Sequence, residues 1–181
     1  MWAYKLAESL LSDELPRRWV HSKGVAYKAR TLAEILGPDA ELLESAAVLH
    51  DVGYSPRIAH SGFHPLDGAR FLRIEGVDER VVRLVAHHSC ALLEAEERGL
   101  RRELEEEFPL EQPHLVDALI YCDMTTTPDG TPTTTPDRIA EIVGRYGPDS
   151  VVGRFIRRAE PQIDAAARRV EDRLLQVRTT A

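Results

Sequence analysis

Apolar residues recur along this chain at intervals of three and four, and strict alternation is scarce. The pattern therefore predicts helices almost throughout. A first helix is expected near Trp2 to Leu11, and a second from about Pro16 to Leu36, where Gly37-Pro38 stops it. A third covers Asp39 to about Asp51, with Asp39, Glu41 and Glu44 near its positive end. The stretch VGYSPRIAHSGF, 52–63, reads as a loop because of its glycines and proline. A fourth helix begins at His64-Pro65, where proline suits the first turn, and ends at Gly76; a fifth spans Asp78 to His88. CALLEAEERGLRRELEEEF, 90–108, predicts a charged, solvated sixth helix held by i,i+4 pairs, with a break at Gly99. A seventh runs from Gln112 to Met124, followed by the low-complexity loop TTTPDGTPTTTP, 125–136. Two more helices follow, the last expected to kink at Pro161. The expected architecture is all-α, a bundle of eight or nine helices. It is read as one domain over 1–181, with a core at about 16–124 and C-terminal helices over 136–178.

Composition narrows this picture. A chain of 181 residues with 43% apolar content is long enough to bury a core of its own. A net charge of −7 argues against a broad nucleic-acid surface. The two cysteines, Cys90 and Cys122, read as free thiols rather than a disulfide framework, and no C-x-x-C pair suggests a zinc knot. No apolar run approaches the roughly 20 residues needed to cross a bilayer. MWAYKLAESLLSDELP carries acids early and reads as an amphipathic helix, not a signal peptide. The expectation is a cytoplasmic protein without membrane or nucleic-acid partners. A homodimer is possible through the charged sixth helix or the long last one.

One stretch resists the simple reading. AAVLHDVGY, 46–54, ends an apolar run with His50 and Asp51, and a buried imidazole or carboxylate is costly unless something pairs with it. Other polar residues share helical faces with apolar ones. His21 lies at offsets of 4, 8, 11 and 15 from Val25, Ala29, Leu32 and Leu36. His50 follows Leu43 and Ala47, Asp123 follows Val116 and Ile120, and His88 follows Val81 and Val85, each at offsets of 7 and 3. His87 instead follows Arg80 and Arg83, so His88 is the better interior candidate. A single inward histidine is more often a satisfied core residue than a ligand. Several inward imidazoles and carboxylates on separate helices point to one shared partner, and together they suit a divalent transition metal. Adjacent helical residues point about 100° apart, so His50 and Asp51 reach one ion only at a helix end, which Val52-Gly53 supplies.

His21, the doublet His50-Asp51 and the distant Asp123 resemble the H…HD…D pattern of the HD-domain superfamily of metal-dependent phosphohydrolases. Their contexts, RRWVHSKGVA, AAVLHDVG and ALIYCD, fit as well, so the resemblance spans roughly His21 to Asp123. FHPLDGARFL and VAHHS are similar to two further ligand segments of the two-metal branch, which includes symmetrical dinucleoside-tetraphosphate hydrolases and cyclic-nucleotide phosphodiesterases. The resemblance implies a ligand set of His21, His50, Asp51, His64, His88 and Asp123, with Asp51 bridging two ions and His60 and His87 as spare candidates. The ions would be Fe, Mn, Zn, Ni or Co. They would activate a hydroxide for attack on a small phosphorylated substrate such as a nucleotide.

Cations for that phosphate would come from Arg18, one turn before His21, and from Arg57 after the doublet, with Lys23 and Lys28 as weaker choices. No G-x-x-x-x-G-K-[ST] loop exists, which disfavours a P-loop ATPase. The chain departs from familiar relatives where Tyr54 stands in place of the lysine of an HD-x-G-K pattern. HHSCALL likewise lacks the signature of the cyclic-dinucleotide branch. Two alternatives stay open: an HD-fold di-iron oxygenase with the same ligand pattern, and a ligand-sensing module without catalysis. The 125–136 loop starts two residues after Asp123 and is expected to border the site or to serve as a connector.

Overall fold

A computed structural model describes residues 1–180. It is all-α: α1 Trp2–Leu11, α2 Pro16–Arg30, α3 Ala33–Leu36, α4 Ala40–Leu49, α5 His64–Ile74, α6 Glu79–His87, α7 Ala91–Arg98, α8 Arg101–Glu107, α9 Pro113–Met124, α10 Thr135–Tyr146 and α11 Val151–Thr180. Extended pairing among the described residues is confined to one antiparallel bridge, Thr126 to Pro132, which closes the Thr/Pro loop.

Two expected helices are each divided. The second breaks at Thr31-Leu32, where the Thr31 hydroxyl donates to the Lys28 carbonyl at 2.6 Å and offers the backbone a local alternative to the helix. The sixth breaks at Gly99, whose φ of 72° is the left-handed turn that glycine adopts without a Cβ penalty. Pro161 lies inside the continuous α11.

The central helix is α4, which packs against α1, α2, α6 and α9. Its sequence explains this position. From Leu43 to Leu49 every residue is buried, so the helix has no solvated stripe and must be enclosed by others. Full burial of Leu43, Val48 and Leu49 stabilises the fold by roughly 1.5–3 kcal/mol each. That surplus offsets the cost of carrying His50 and Asp51, 1% and 4% exposed, at the helix end. A second, smaller apolar cluster joins Ile120 and Met124 of α9 to Ile139 and Ile142 of α10 and to Phe155, Ile156 and Ala159 of α11.

Two close backbone approaches set the geometry around the end of α4. A Cβ on Gly53 would lie 1.9 Å from the His64 carbonyl oxygen and 2.7 Å from the Gly68 nitrogen, so only glycine lets α5 dock against the turn that follows Asp51. A Cβ on Gly24 of α2 would lie 2.6 Å from the backbone of Gly130, so the Thr/Pro loop lies directly on α2 beside His21. None of the described helices is long and apolar enough to cross a membrane.

Candidate metal centre

His50 and Asp51 sit at the C-terminus of α4, where the last carbonyls lack helical partners. The His50 Nδ1 bonds one of them, the Ala47 carbonyl, at 2.7 Å. The same device recurs at the end of α6: His88 Nδ1 bonds the Val85 carbonyl at 2.6 Å. His21 Nδ1 bonds the Thr127 carbonyl of the Thr/Pro loop at 2.9 Å. A carbonyl only accepts, so each of these Nδ1 atoms carries a proton. In the neutral ring Nε2 is then a bare lone pair, and in each case it faces inward.

Those lone pairs converge. His21 Nε2 lies 2.9 Å from Asp123 Oδ1. His50 Nε2 lies 3.5 Å from Asp51 Oδ2 and 3.8 Å from Asp123 Oδ1. His64 Nε2 is 3.5 Å from Asp51 Oδ1 and 3.0 Å from His88 Nε2, which is itself 4.0 Å from the same Asp51 oxygen. Two sets of potential ligand atoms result, His21–His50–Asp51 and Asp51–His64–His88, each within 4.8 Å of one another and sharing Asp51. Asp123 closes the first set from α9, and Ser89 Oγ donates to its other oxygen.

The residues fit a cation. His50 Nε2 is buried and has no hydrogen-bond partner. The His21 lone pair faces a carboxylate oxygen, and two such acceptors attract only with a positive charge between them. Fixing each ring through Nδ1 to a backbone carbonyl is how metal-binding histidines are oriented. Burial pushes the carboxyl of Asp51 upward, but the Arg18 guanidinium beside it overcomes this and holds the group well below the usual carboxylate range. Asp123 is likewise held low against its burial, with the Arg138 guanidinium contributing. Burial pushes the His64 and His88 imidazoles down, so both stay neutral and able to ligate.

Of the other residues singled out in the sequence, Arg18 is at the site. Its Nη1 donates to Asp51 Oδ2 at 2.6 Å. Arg57 is not: it is exposed, reaches away to the Ser9 carbonyl at 3.0 Å, and is absent from the cavity wall. Here the expectation fails because the turn Val52–Tyr54 directs the following loop toward α1. His60 is exposed, and its backbone nitrogen bonds Asp67. His87 points the other way, bonding the Phe108 carbonyl through Nε2 at 2.6 Å, so its tautomer and its face are both wrong for the cluster. Lys23 lies over the Trp19 ring and Lys28 donates to the Thr125 carbonyl; neither lines the cavity.

Sequence reasoning missed several residues. Tyr54 is sandwiched: the Arg18 guanidinium lies 3.4 Å above its ring, and the His64 imidazole stacks on it at 3.8 Å and 20°. The residue that replaces a family lysine thus aligns both an arginine and an imidazole. Ser89 and Cys90 adopt φ of 50° and 62°, an uncommon conformation for non-glycine residues, and so carry Ser89 Oγ onto Asp123. Arg138 and Arg145 of α10 also line the cavity. Their signal was present, since Arg138, Ile142 and Arg145 stand at offsets of 4 and 7 on one helical face with the buried Ile142.

The inner cavity, about 70 Å³, is bounded by these polar groups on one side and by Met124, Ile142, Phe155 and Ile156 of the smaller apolar cluster on the other. It shares Arg18, His21, Arg138 and Arg145 with an outer cavity of about 320 Å³, also walled by Leu15, Pro16 and Pro128.

The segment that carries this cluster is similar to known proteins. The model of the HD domain matches residues 18–127, from Arg18 to Thr127, and includes all six clustered residues. The chain is 38% identical over 78 residues to a tRNA (cytidine(56)-2'-O)-methyltransferase of Thermoplasma volcanium, covering 42% of this chain and 22% of that protein. It is 40% identical over 70 residues to ribonuclease Y of Aquifex aeolicus, covering 38% and 12% respectively. It is 38% identical over 77 residues to a deoxyguanosinetriphosphate triphosphohydrolase-like protein of a Jannaschia species, covering 41% and 19%. The chain thus spans less than a quarter of the length of these relatives. No solved structure matches it. With the matched segment covering more than half of the chain and containing the whole imidazole–carboxylate cluster, this protein belongs to the HD-domain family.

Proposed function

We propose that this protein is a metal-dependent phosphohydrolase acting on a small phosphorylated substrate. His21, His50, Asp51 and Asp123 would hold one divalent ion, and Asp51, His64 and His88 a second. When bound, such ions lower the pKa of water and neutralise phosphate oxygens as charge develops on them. The chain's own residues do the rest. Arg18 carries five N–H donors, and the one engaged with Asp51 leaves others for a phosphate oxygen. Tyr54 holds Arg18 in place by stacking, so little side-chain entropy is lost when phosphate arrives. The apolar wall of Met124, Ile142 and Phe155 gives one side of the site a surface of low polarity, which strengthens the charge interactions beside it.

The observation that carries this reading is Asp51, whose two oxygens face two separate imidazole sets while a stacked arginine stands beside it. The names of two relatives, a triphosphohydrolase-like protein and a ribonuclease, denote cleavage at phosphorus and support the same class of reaction. The net charge of −7 favours a small substrate over a polynucleotide. The test is phosphate release from a panel of nucleotides, dinucleoside polyphosphates and sugar phosphates with Mn²⁺, under anaerobic conditions. Turnover without O₂ is expected. Turnover only with iron and O₂, with oxygen consumed, would replace this reading by the oxygenase chemistry known elsewhere on the fold.

A further inference from the structure

Resting on the phosphohydrolase reading, we propose that Arg138 and Arg145 of α10 form a second anion subsite, which selects substrates with at least two linked phosphates over simple monoesters. Both residues lie beyond the matched HD segment, which ends at residue 127, so this feature belongs to the chain's own C-terminal helices.

Arg138 is the anchor. It is only 7% exposed, and its Nε has no hydrogen-bond partner. A buried guanidinium N–H left unpaired is costly, and it lines the wall shared by the inner and outer cavities. Its Nη1 donates to Glu141 Oε2 at 2.5 Å, while Arg145 Nε lies 3.3 Å from the other oxygen of the same carboxylate. Glu141 therefore holds the two arginines side by side without lining either cavity itself. Arg145 is about one-third exposed, so it can swing toward a ligand.

The charge distribution points the same way. The outer cavity is lined by Arg17, Arg18, Arg138 and Arg145 against a single acid, Glu14, in a chain whose overall charge is −7. Arg17 is held on the exposed surface by Asp129, whereas Arg138, although paired with Glu141 through Nη1, keeps a buried Nε without a partner beside the cavity. Asp51, Asp123, Arg138 and Arg145 line the same inner cavity, so a phosphate chain that starts at the Asp51 cluster has the two arginines on its wall to meet a further phosphate. The outer volume of about 320 Å³, with Leu15, Pro16 and Pro128 on its wall, is of the size that accepts a small organic group.

Calorimetric titration of the Mn²⁺-loaded protein with methylenediphosphonate and with methylphosphonate tests the subsite without turnover. The wild type should bind the bisphosphonate at least about tenfold more tightly, the value of one charge-assisted hydrogen bond. Arg138→Gln and Arg145→Gln should each erode that preference, and Arg138→Lys should restore part of it. Absence of the preference in the wild type, or its survival in both glutamine variants, overturns the proposal. If Arg138→Gln fails to fold by circular dichroism, the partly exposed Arg145→Gln decides alone. Hydrolysis supplies a second arm. Turnover of tripolyphosphate or of ATP ahead of p-nitrophenyl phosphate supports the subsite, and their order tells an inorganic chain from a nucleotide; preference for the monoester overturns it. A protein that hydrolyses no phosphate compound at all, yet binds the bisphosphonate through Arg138, sinks the phosphohydrolase reading and leaves the subsite standing.

Discussion

His64 Nε2 approaches Asp51 at Oδ1, 3.5 Å away, on the opposite oxygen from the one that Arg18 and His50 address. One carboxylate thus joins two halves of the cluster. Asp51→Ala should lower activity by at least about a hundredfold and remove metal from both positions, because loss of a ligand exceeds the tenfold to hundredfold cost of losing a supporting group. His64→Ala should reduce only the second position. Elemental analysis of the purified proteins, with circular dichroism as a control on folding, measures this. Full metal content in Asp51→Ala would contradict the shared-carboxylate reading.

The neighbours His87 and His88 should behave in opposite ways. His88→Ala removes an imidazole from the cluster and should abolish activity while leaving the fold intact. His87→Ala removes a buried bond to the Phe108 carbonyl and should cost about 1–3 kcal/mol of stability with little effect on the rate per folded molecule. Urea melts and steady-state kinetics on both variants separate the cases. A dead but fully stable His87→Ala would reverse the assignment.

Gly53→Ala probes the backbone rather than a ligand. The new methyl group would meet the His64 carbonyl at 1.9 Å and must push α5 away from the end of α4. The expected loss is about 1–3 kcal/mol of stability, together with weaker metal binding through a displaced His64. Wild-type stability and metal content in this variant would show that α5 can move without consequence.

Stability of the metal-free protein should depend on pH with a definite sign. Burial, joined by His88 at His64 and by His50 at His88, lowers both imidazoles below their ordinary 6.5. Near and below that pH the unfolded chain takes up protons that the folded chain refuses. The stabilisation is complete above about pH 6.5 and fades as pH falls. The Asp51 and Asp123 carboxyls, held low, release their own contribution only in much stronger acid. Thermal melts in chelator between about pH 8 and 5.5 test this; a melting temperature that rises on acidification would refute it.

Much of this molecule was legible in its residues, because helical periodicity and inward-facing polar groups are properties of short stretches. The spacing that placed His21, His50, His88 and Asp123 on apolar faces, and that preferred His88 to His87, concerns one turn of helix at a time, and in each case the described side chain faces inward. The breaks at Thr31 and Gly99 are local too, but only Gly99 carried a residue that signals one; Thr31 acts through a hydroxyl bond that helical spacing does not encode. What sequence could not settle depends on contacts between distant segments. Arg57 follows the doublet closely yet is carried off to Ser9, while Arg138, 87 residues beyond Asp51, is buried at the cavity. Tyr54 gained its place between Arg18 and His64 only when α2 and α5 closed on the end of α4. Periodicity reports which way a side chain leaves its own helix; which other helix it meets is decided by the packing of the whole core, where burial is shared among all the elements at once.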